Sequence, residues 1–191
     1  CKIEISECRL LEENGRAHFI TKRFDRDGNI KHHTQSLCGM QHYDFNDMYG
    51  YSYEQVFQTM RLLYLTYPEA EQMFRRMVFN VLATNFDDHT KNFSFILKKD
   101  DRWRLAPAYD LCFSFDPTNH WVNKQTLSIN EKRLEITKED LKKKKKNNNI
   151  KKGDKIIDEM NSIIKSWTTY ASQANVNNVL KKKINNNLNV F

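Results

Sequence analysis

The chain has 191 residues, of which 39% are hydrophobic, 12% aromatic and 29% charged; that composition carries enough apolar side chain to fold and excludes wholesale disorder. No run approaches the roughly 18 apolar residues of a membrane span, and there is no signal-peptide core. Formal charge is +7, but residues 138–191 hold 13 lysines against 5 acids, while residues 1–137 carry 18 basic and 19 acidic side chains. The basicity therefore belongs to the tail and is not a nucleic-acid footprint over the whole surface.

The four cysteines, Cys1, Cys8, Cys38 and Cys112, show no C-x-x-C spacing and are too few for a disulfide scaffold; free thiols in a reducing cytoplasm are expected. The opening Cys1-Lys2-Ile3-Glu4 lacks an initiator Met, so a piece of a longer protein is expected.

In chain order, residues 7–12 and 17–23 read as a hairpin about Asn14-Gly15, and Asp27-Gly28 marks a second turn. Residues 30–50 lack periodicity and read as loop, with a short helix over Thr34 to Met40. Ser52 with Gln55 forms a capping box for a helix whose apolar face is Val56, Phe57, Met60, Leu63 and Tyr64. Pro68 suits the first turn of the next helix, where Ala70, Met73, Phe74, Met77, Val78, Val81 and Leu82 make a wide buried stripe. A second hairpin follows: Phe93 to Leu97, a polar turn over Lys98 to Asp101, then Trp103 to Leu105, ended by Pro107. Residues 138–191 read as helical, with Ile156, Ile157, Met160, Ile163, Ile164 and Trp167 at helical spacing. The Lys142 to Asn149 run reads as a solvated helix end or loop.

One constellation carries chemistry. Asp87-Asp88-His89-Thr90-Lys91-Asn92 lies between the buried helix and the second hairpin, and Asp110 lies just beyond that hairpin. A carboxylate, an Asn five residues later and a second carboxylate across a short hairpin suit phosphoryl transfer. One Asp orients or deprotonates the attacking hydroxyl, and the Asn and the other Asp offer hard oxygens to Mg²⁺. The same residues would also serve as ordinary turn and cap formers. A metal-hydrolase alternative would use Asp88, His89 and further histidines, but His32, His33, His42 and His120 lack ligand spacing. A helix-turn-helix reading of residues 52–82 fails because both helices are strongly apolar.

These residues resemble a known family. Asp87 to Ser94, then Leu105-Ala106-Pro107-Ala108-Tyr109-Asp110, resemble the D-x-H-x-K-N-F-S and P-x-Y-D motifs of HipA-type kinases. Thr21 to Arg26 resembles the family's R-F-D-R segment, and Ile163 to Ala171 its C-terminal helix. The resemblance implies an α+β fold of protein-kinase-like (HipA) type: residues 1–26 as the end of an N-lobe sheet and the hinge, and residues 27–191 as the mainly helical C-terminal kinase lobe. It further implies an ATP- and Mg²⁺-dependent serine/threonine protein kinase, the cytoplasmic toxin of a toxin–antitoxin system. Such a toxin phosphorylates an aminoacyl-tRNA synthetase and is restrained by a HipB-like DNA-binding antitoxin.

Carried onto matching positions, Asp87 is the base, and Asn92 and Asp110 are the Mg²⁺ ligands. Lys22, Arg23 and Phe24 form the hinge, with Asp25 near the ribose; His89, Thr90, Lys91 and Tyr109 complete the nucleotide site. The family's phosphate loop and nucleotide lysine lie upstream of the R-F-D-R segment, and Gly15, Gly28, Gly39, Gly50 and Gly153 match no such loop. A lobe inactive without its upstream partner is expected. Two other readings remain: a non-catalytic module binding nucleotide or antitoxin, and a small-molecule phosphotransferase.

Overall fold

In the computed structural model, which describes residues 1–191, Asn14 and Gly15 adopt φ of 50° and 74° and close a two-residue turn whose twist matches its strands. They join β1 (Cys8–Glu13) to β2 (Arg16–Thr21), antiparallel with Cys8 opposite Thr21. The hairpin stands away from the core, with Leu10 and Phe19, paired across it, both exposed. Gly28, at φ 56°, turns β3 (Arg26–Asp27) into β4 (Ile30–Lys31).

The expected helix over Thr34 to Met40 is corrected. His33–Ser36 is strand β5 and only Leu37–Met40 (α1) is helical. A His-Thr-Gln-Ser strand has no apolar alternation to reveal it, because its order comes from the ladder with a distant partner. That partner is β6 (Ser94–Leu97), which pairs on its other side with β7 (Trp103–Leu105). Phe95 and Ile96 point to opposite faces of β6 and are both buried, as a central covered strand requires.

Helix α2 (Tyr53–Leu62) starts with the expected Ser52–Gln55 capping box. It ends where Tyr64 turns to φ 55°, with Leu65 N–H donating to the Met60 carbonyl and Tyr64 N–H to that of Arg61, both at 3.0 Å. This left-handed stop throws Tyr64 into solvent, 92% exposed, so the apolar face expected to include Tyr64 finishes at Leu63. Helix α3 (Tyr67–Leu82) begins one residue before Pro68, behind a Thr66–Glu69 capping box. The other Glu69 oxygen accepts from Leu105 N–H at 2.9 Å, tying α3 to β7.

The expected stripe of α3 is the centre of the core. Met73, Phe74, Met77, Val78, Val81 and Leu82 join one apolar cluster with Val56, Phe57 and Met60 of α2, the sheet's Phe95 and Leu105, and the helix that follows. Each such side chain contributes about 1.5–3 kcal/mol by leaving water.

Residues 138–191 fold as four helices: α4 (Lys138–Asn147), α5 (Gly153–Lys165), α6 (Trp167–Gln173) and α7 (Asn178–Asn185). The expected Ile163 to Ala171 helix is broken at Ser166, where α5 ends and α6 starts. The Lys142 to Asn149 run is the C-terminal half of α4 and the turn after it, exposed or half-buried as expected except at Lys144, which is buried against Glu54; Lys145 pairs with Asp154. No helix is long and apolar enough to cross a membrane.

Candidate active site

The buried helix α3 stops in a left-handed turn at Thr84, φ 54°, with Asn85 N–H donating to the Asn80 carbonyl at 2.9 Å. That turn redirects the chain into residues 85–89, where backbone bonds clamp three segments together. Phe86 N–H donates to Ser114 and Ser114 N–H to Thr84, while Thr126 N–H donates to Phe86, all at 3.0–3.1 Å. Adjacent side chains then take opposite directions. The Asp87 carboxylate faces outward, 43% exposed, and Asp88 points into the core, 1% exposed.

Asn92 ends a short 3₁₀ turn (Thr90–Asn92), and its Nδ2 donates to the Asp87 carbonyl at 2.8 Å. Its Oδ1 accepts from no protein group. Asp110, exposed and left-handed at φ 55°, lies beyond β7. Burial pushes the Asp87 carboxyl upward, His89 pulls it down, and the charge of Asp110 pushes it up again. The charge of Asp110 is thus felt at Asp87. Burial also raises the Cys112 thiol, helped by Asp110 and Asp87. Behind this segment the buried Arg76 donates to the Ala106 carbonyl at 2.6 Å, and burial draws its guanidinium down to about 10.

A cavity of about 560 Å³ opens between the β1–β2 hairpin, residues 22–25 and residues 108–111. Phe24 stacks on Tyr109, centroids 5.9 Å apart. The Tyr109 hydroxyl donates to the Lys91 carbonyl at 2.6 Å and lies 2.5 Å from Ser94 Oγ, which ties the cavity wall to the Asp87–Asn92 loop. Lys22 N–H donates to Glu7 and the Asp25 carbonyl accepts from His32, but the peptide groups of Arg23 and Phe24 between them are unpaired. Those are the donors and acceptors that a planar heterocycle edge would need. Asp25 lines the cavity too, though Arg23 at 2.6 and 2.8 Å and Arg26 at 2.6 Å already hold its carboxylate. The Arg23 hydrogen bond keeps that carboxyl below its ordinary value.

Most residues singled out from sequence line one of two hollows, while Lys91 and Asn92 line neither. Lys22, Arg23, Phe24, Asp25, Tyr109 and Asp110 line the large cavity. His89 and Thr90 line a small recess with Asp87, walled by Phe45 and Trp121. His89 Nε2 lies 3.7 Å from Asp87, and Lys91 Nζ sits 3.3 Å over the Phe45 ring.

The metal-hydrolase alternative does not hold. No three His, Cys, Asp or Glu side chains cluster as a metal centre, and Asp88 is saturated by protein donors. The free Asn92 Oδ1 and the exposed, unpaired Asp110 do fit Mg²⁺, which takes one or two protein oxygens and completes its shell with phosphates and water.

Sequence reasoning missed the polar residues beneath the site. Asp88 accepts from Tyr53 Oη (2.7 Å), Gln125 Nε2 (2.9 Å), Thr126 N–H (2.9 Å) and Leu127 N–H (3.2 Å). Asn80 donates to Tyr53 Oη at 2.9 Å and Asn85 to Asn80 at 3.0 Å. Burial pushes the Asp88 carboxyl up to about 7 against those four donors. The available signal was Asn80, an amide inside the apolar stripe of α3.

Comparisons with known proteins give the family and the fold. A family model described as HipA-like C-terminal domain matches residues 1–167. A Haemophilus influenzae protein named "Putative kinase" is 36% identical over 123 residues, which is 58% of this chain and 35% of that protein. A chain from the Shewanella oneidensis MR-1 toxin–antitoxin complex of HipA, HipB and operator DNA shares the fold. Its TM-score is 0.67 at 16% identity, over 86% of this chain and 44% of that one. The chain thus spans less than half the length of these relatives.

Proposed function

The chain belongs to the HipA-like C-terminal domain family, and from that premise we propose that it carries the base and the metal ligands of an ATP- and Mg²⁺-dependent serine/threonine protein kinase. One observation carries the reading. The exposed Asp87 carboxylate feels the charge of Asp110, the Asn92 amide donates to the Asp87 carbonyl so that its Oδ1 is left over, and Asp110 lines a cavity with unpaired hinge peptides.

In this reading Asp87 orients the substrate hydroxyl and takes its proton; its raised carboxyl suits proton acceptance. Asn92 Oδ1 and Asp110 hold Mg²⁺, which when bound neutralises charge on the phosphates. The Arg23 and Phe24 peptides meet the base edge, Phe24 and Tyr109 wall the base, and His89 and Lys91 serve the phosphate end. No glycine lines the cavity, so the backbone cradle for the β- and γ-phosphates is assigned to other parts of the full-length kinase. A tRNA synthetase as substrate is proposed on the family resemblance. A HipB-like antitoxin, with nucleic acid met through it, is proposed on that resemblance and on the Shewanella complex.

The test uses the protein in the full length its gene encodes, with γ-labelled ATP and Mg²⁺. Asp87→Ala and Asp110→Ala are each expected to abolish transfer, and retained transfer in either overturns the assignment. Mg·ATP binding without transfer by the unsubstituted protein would favour the binding-module reading instead.

A further inference from the structure

Two adjacent aspartates with the same chemistry have opposite fates, one facing the recess and one wholly buried. The buried one is the better connected. Two of its four donors are the Thr126 and Leu127 peptide N–H groups and a third is the Gln125 amide, so its carboxylate binds residues 125–127 to the Asp87 loop. The fourth, Tyr53 Oη, continues through Asn80 to Asn85; either side of Asn85, the Thr84 carbonyl accepts from Ser114 N–H and Phe86 N–H donates to the Ser114 carbonyl, which carries the contact to Ser114, beyond Asp110. With Asp88 anchored inward at 1% exposure, its neighbour Asp87 is left facing outward at 43%.

We propose that Asp88 is the positioning residue for Asp87: its carboxylate roots the loop in the core and thereby aims the neighbouring carboxylate at the reacting hydroxyl. This rests on the reading of Asp87 as the base. Reactivity at such a site is sensitive to displacement, since about 1 Å of misplacement costs on the order of 10²-fold in rate. The hinge cavity is lined by none of the network's side chains, so nucleotide affinity should be spared. Gln125 offers a test of the chemistry itself. Its Nε2 donates to Asp88 while its buried Oε1 has no partner. Exchanging the two functional groups, Asp88→Asn with Gln125→Glu, therefore rebuilds one carboxylate–amide bond with the roles reversed.

The experiment measures kcat and KM for ATP in the full-length protein, on variants shown to be folded by circular dichroism and thermal melting. Asp88→Asn is expected to lower kcat about 10²-fold with KM within about threefold, and the double variant to recover at least tenfold of that loss. A purely structural role would instead lower the melting temperature and leave the kcat of the folded enzyme unchanged. Folded Asp88→Asn with kcat within about threefold of the parent overturns the proposal, as does a loss expressed wholly in KM. Should Asp88→Asn fail to fold, Tyr53→Phe decides, because it keeps the ring and deletes one donor. A kcat decrease of about three- to tenfold supports the proposal and an unchanged kcat overturns it. Asp87→Ala run in parallel separates the two levels: if it retains full transfer, the base assignment itself is wrong and this proposal falls with it.

Discussion

Lys144 stands in a run of five lysines, residues 142–146, yet its side chain is only 1% exposed and its ammonium pairs with Glu54. Replacing it by Ala removes three buried methylenes, at about 0.8 kcal/mol each, or about 2 kcal/mol. The ion pair adds less than a wholly buried one would, because the Glu54 side chain is 43% exposed and water re-covers it. About 1 kcal/mol is a fair figure after that screening. Lys144→Ala is therefore expected to cost about 3 kcal/mol, and Lys144→Met, which keeps the stem and loses the charge, about 1 kcal/mol. Lys143→Ala, one residue away on the exposed side, should stay within about 0.5 kcal/mol. Urea unfolding of the three variants reads these as shifts of midpoint at constant slope. Equal midpoints for Lys143→Ala and Lys144→Ala would refute the reasoning, and a Met variant as unstable as the Ala variant would place the whole effect in the charge.

Two further outcomes follow from particular contacts. Tyr64 holds φ 55° with its side chain 92% exposed, so Tyr64→Gly relieves left-handed strain without losing packing; after the greater freedom of Gly in the unfolded chain is set against it, a gain of about 0.5 kcal/mol is expected in the same urea assay, and destabilisation would contradict it. For Asp140, burial raises the carboxyl, but bonds from Thr137 N–H and Oγ1 and from Lys132 outweigh it and hold it at about 2. A depressed carboxyl stabilises the fold fully above its unfolded value near 4. That contribution, about 1 kcal/mol after screening, is lost as pH falls from about 4 toward about 2. Asp140→Asn should flatten this part of the stability–pH curve, and an unchanged slope would show that the carboxylate contributes nothing.

Features fixed by neighbouring residues were legible in the sequence. Asn14-Gly15 announces its hairpin, Ser52 with Gln55 announces α2, and the stripe from Met73 to Leu82 announces the centre of the core. The site motif was legible as residue types; in the structure Asn92 bonds the Asp87 carbonyl and the charge of Asp110 acts on Asp87. Hidden were features decided by residues far along the chain. His33–Ser36 becomes a strand only because Ser94–Leu97 lies beside it. Lys144 differs from Lys143 only because Glu54 lies beneath one of them. Asp87 and Asp88 share a letter, and nothing local says which is turned inward; Tyr53 and Gln125 decide it.

The same contrast explains how α3 delivers the chain to the site. Five helices end with a non-glycine residue in the left-handed region: His42 after α1, Tyr64 after α2, Thr84 after α3, Asn149 after α4 and Asn175 after α6. Asn adopts that conformation readily and Tyr64 does so in solvent, but a β-branched residue there is a genuine outlier. Thr84 is also buried, and its hydroxyl donates to the Asn187 carbonyl at 2.5 Å while Asn189 N–H donates to the Leu82 carbonyl at 3.0 Å. The C-terminal segment thus holds the end of α3 in the strained turn that a glycine would make freely. A glycine there would also leave the Asn187 carbonyl without this donor and give the entry to the Asp87 loop more freedom. Strain compensated by a tertiary bond fixes one direction of exit, and the direction of exit is what Asp87, three residues on, requires.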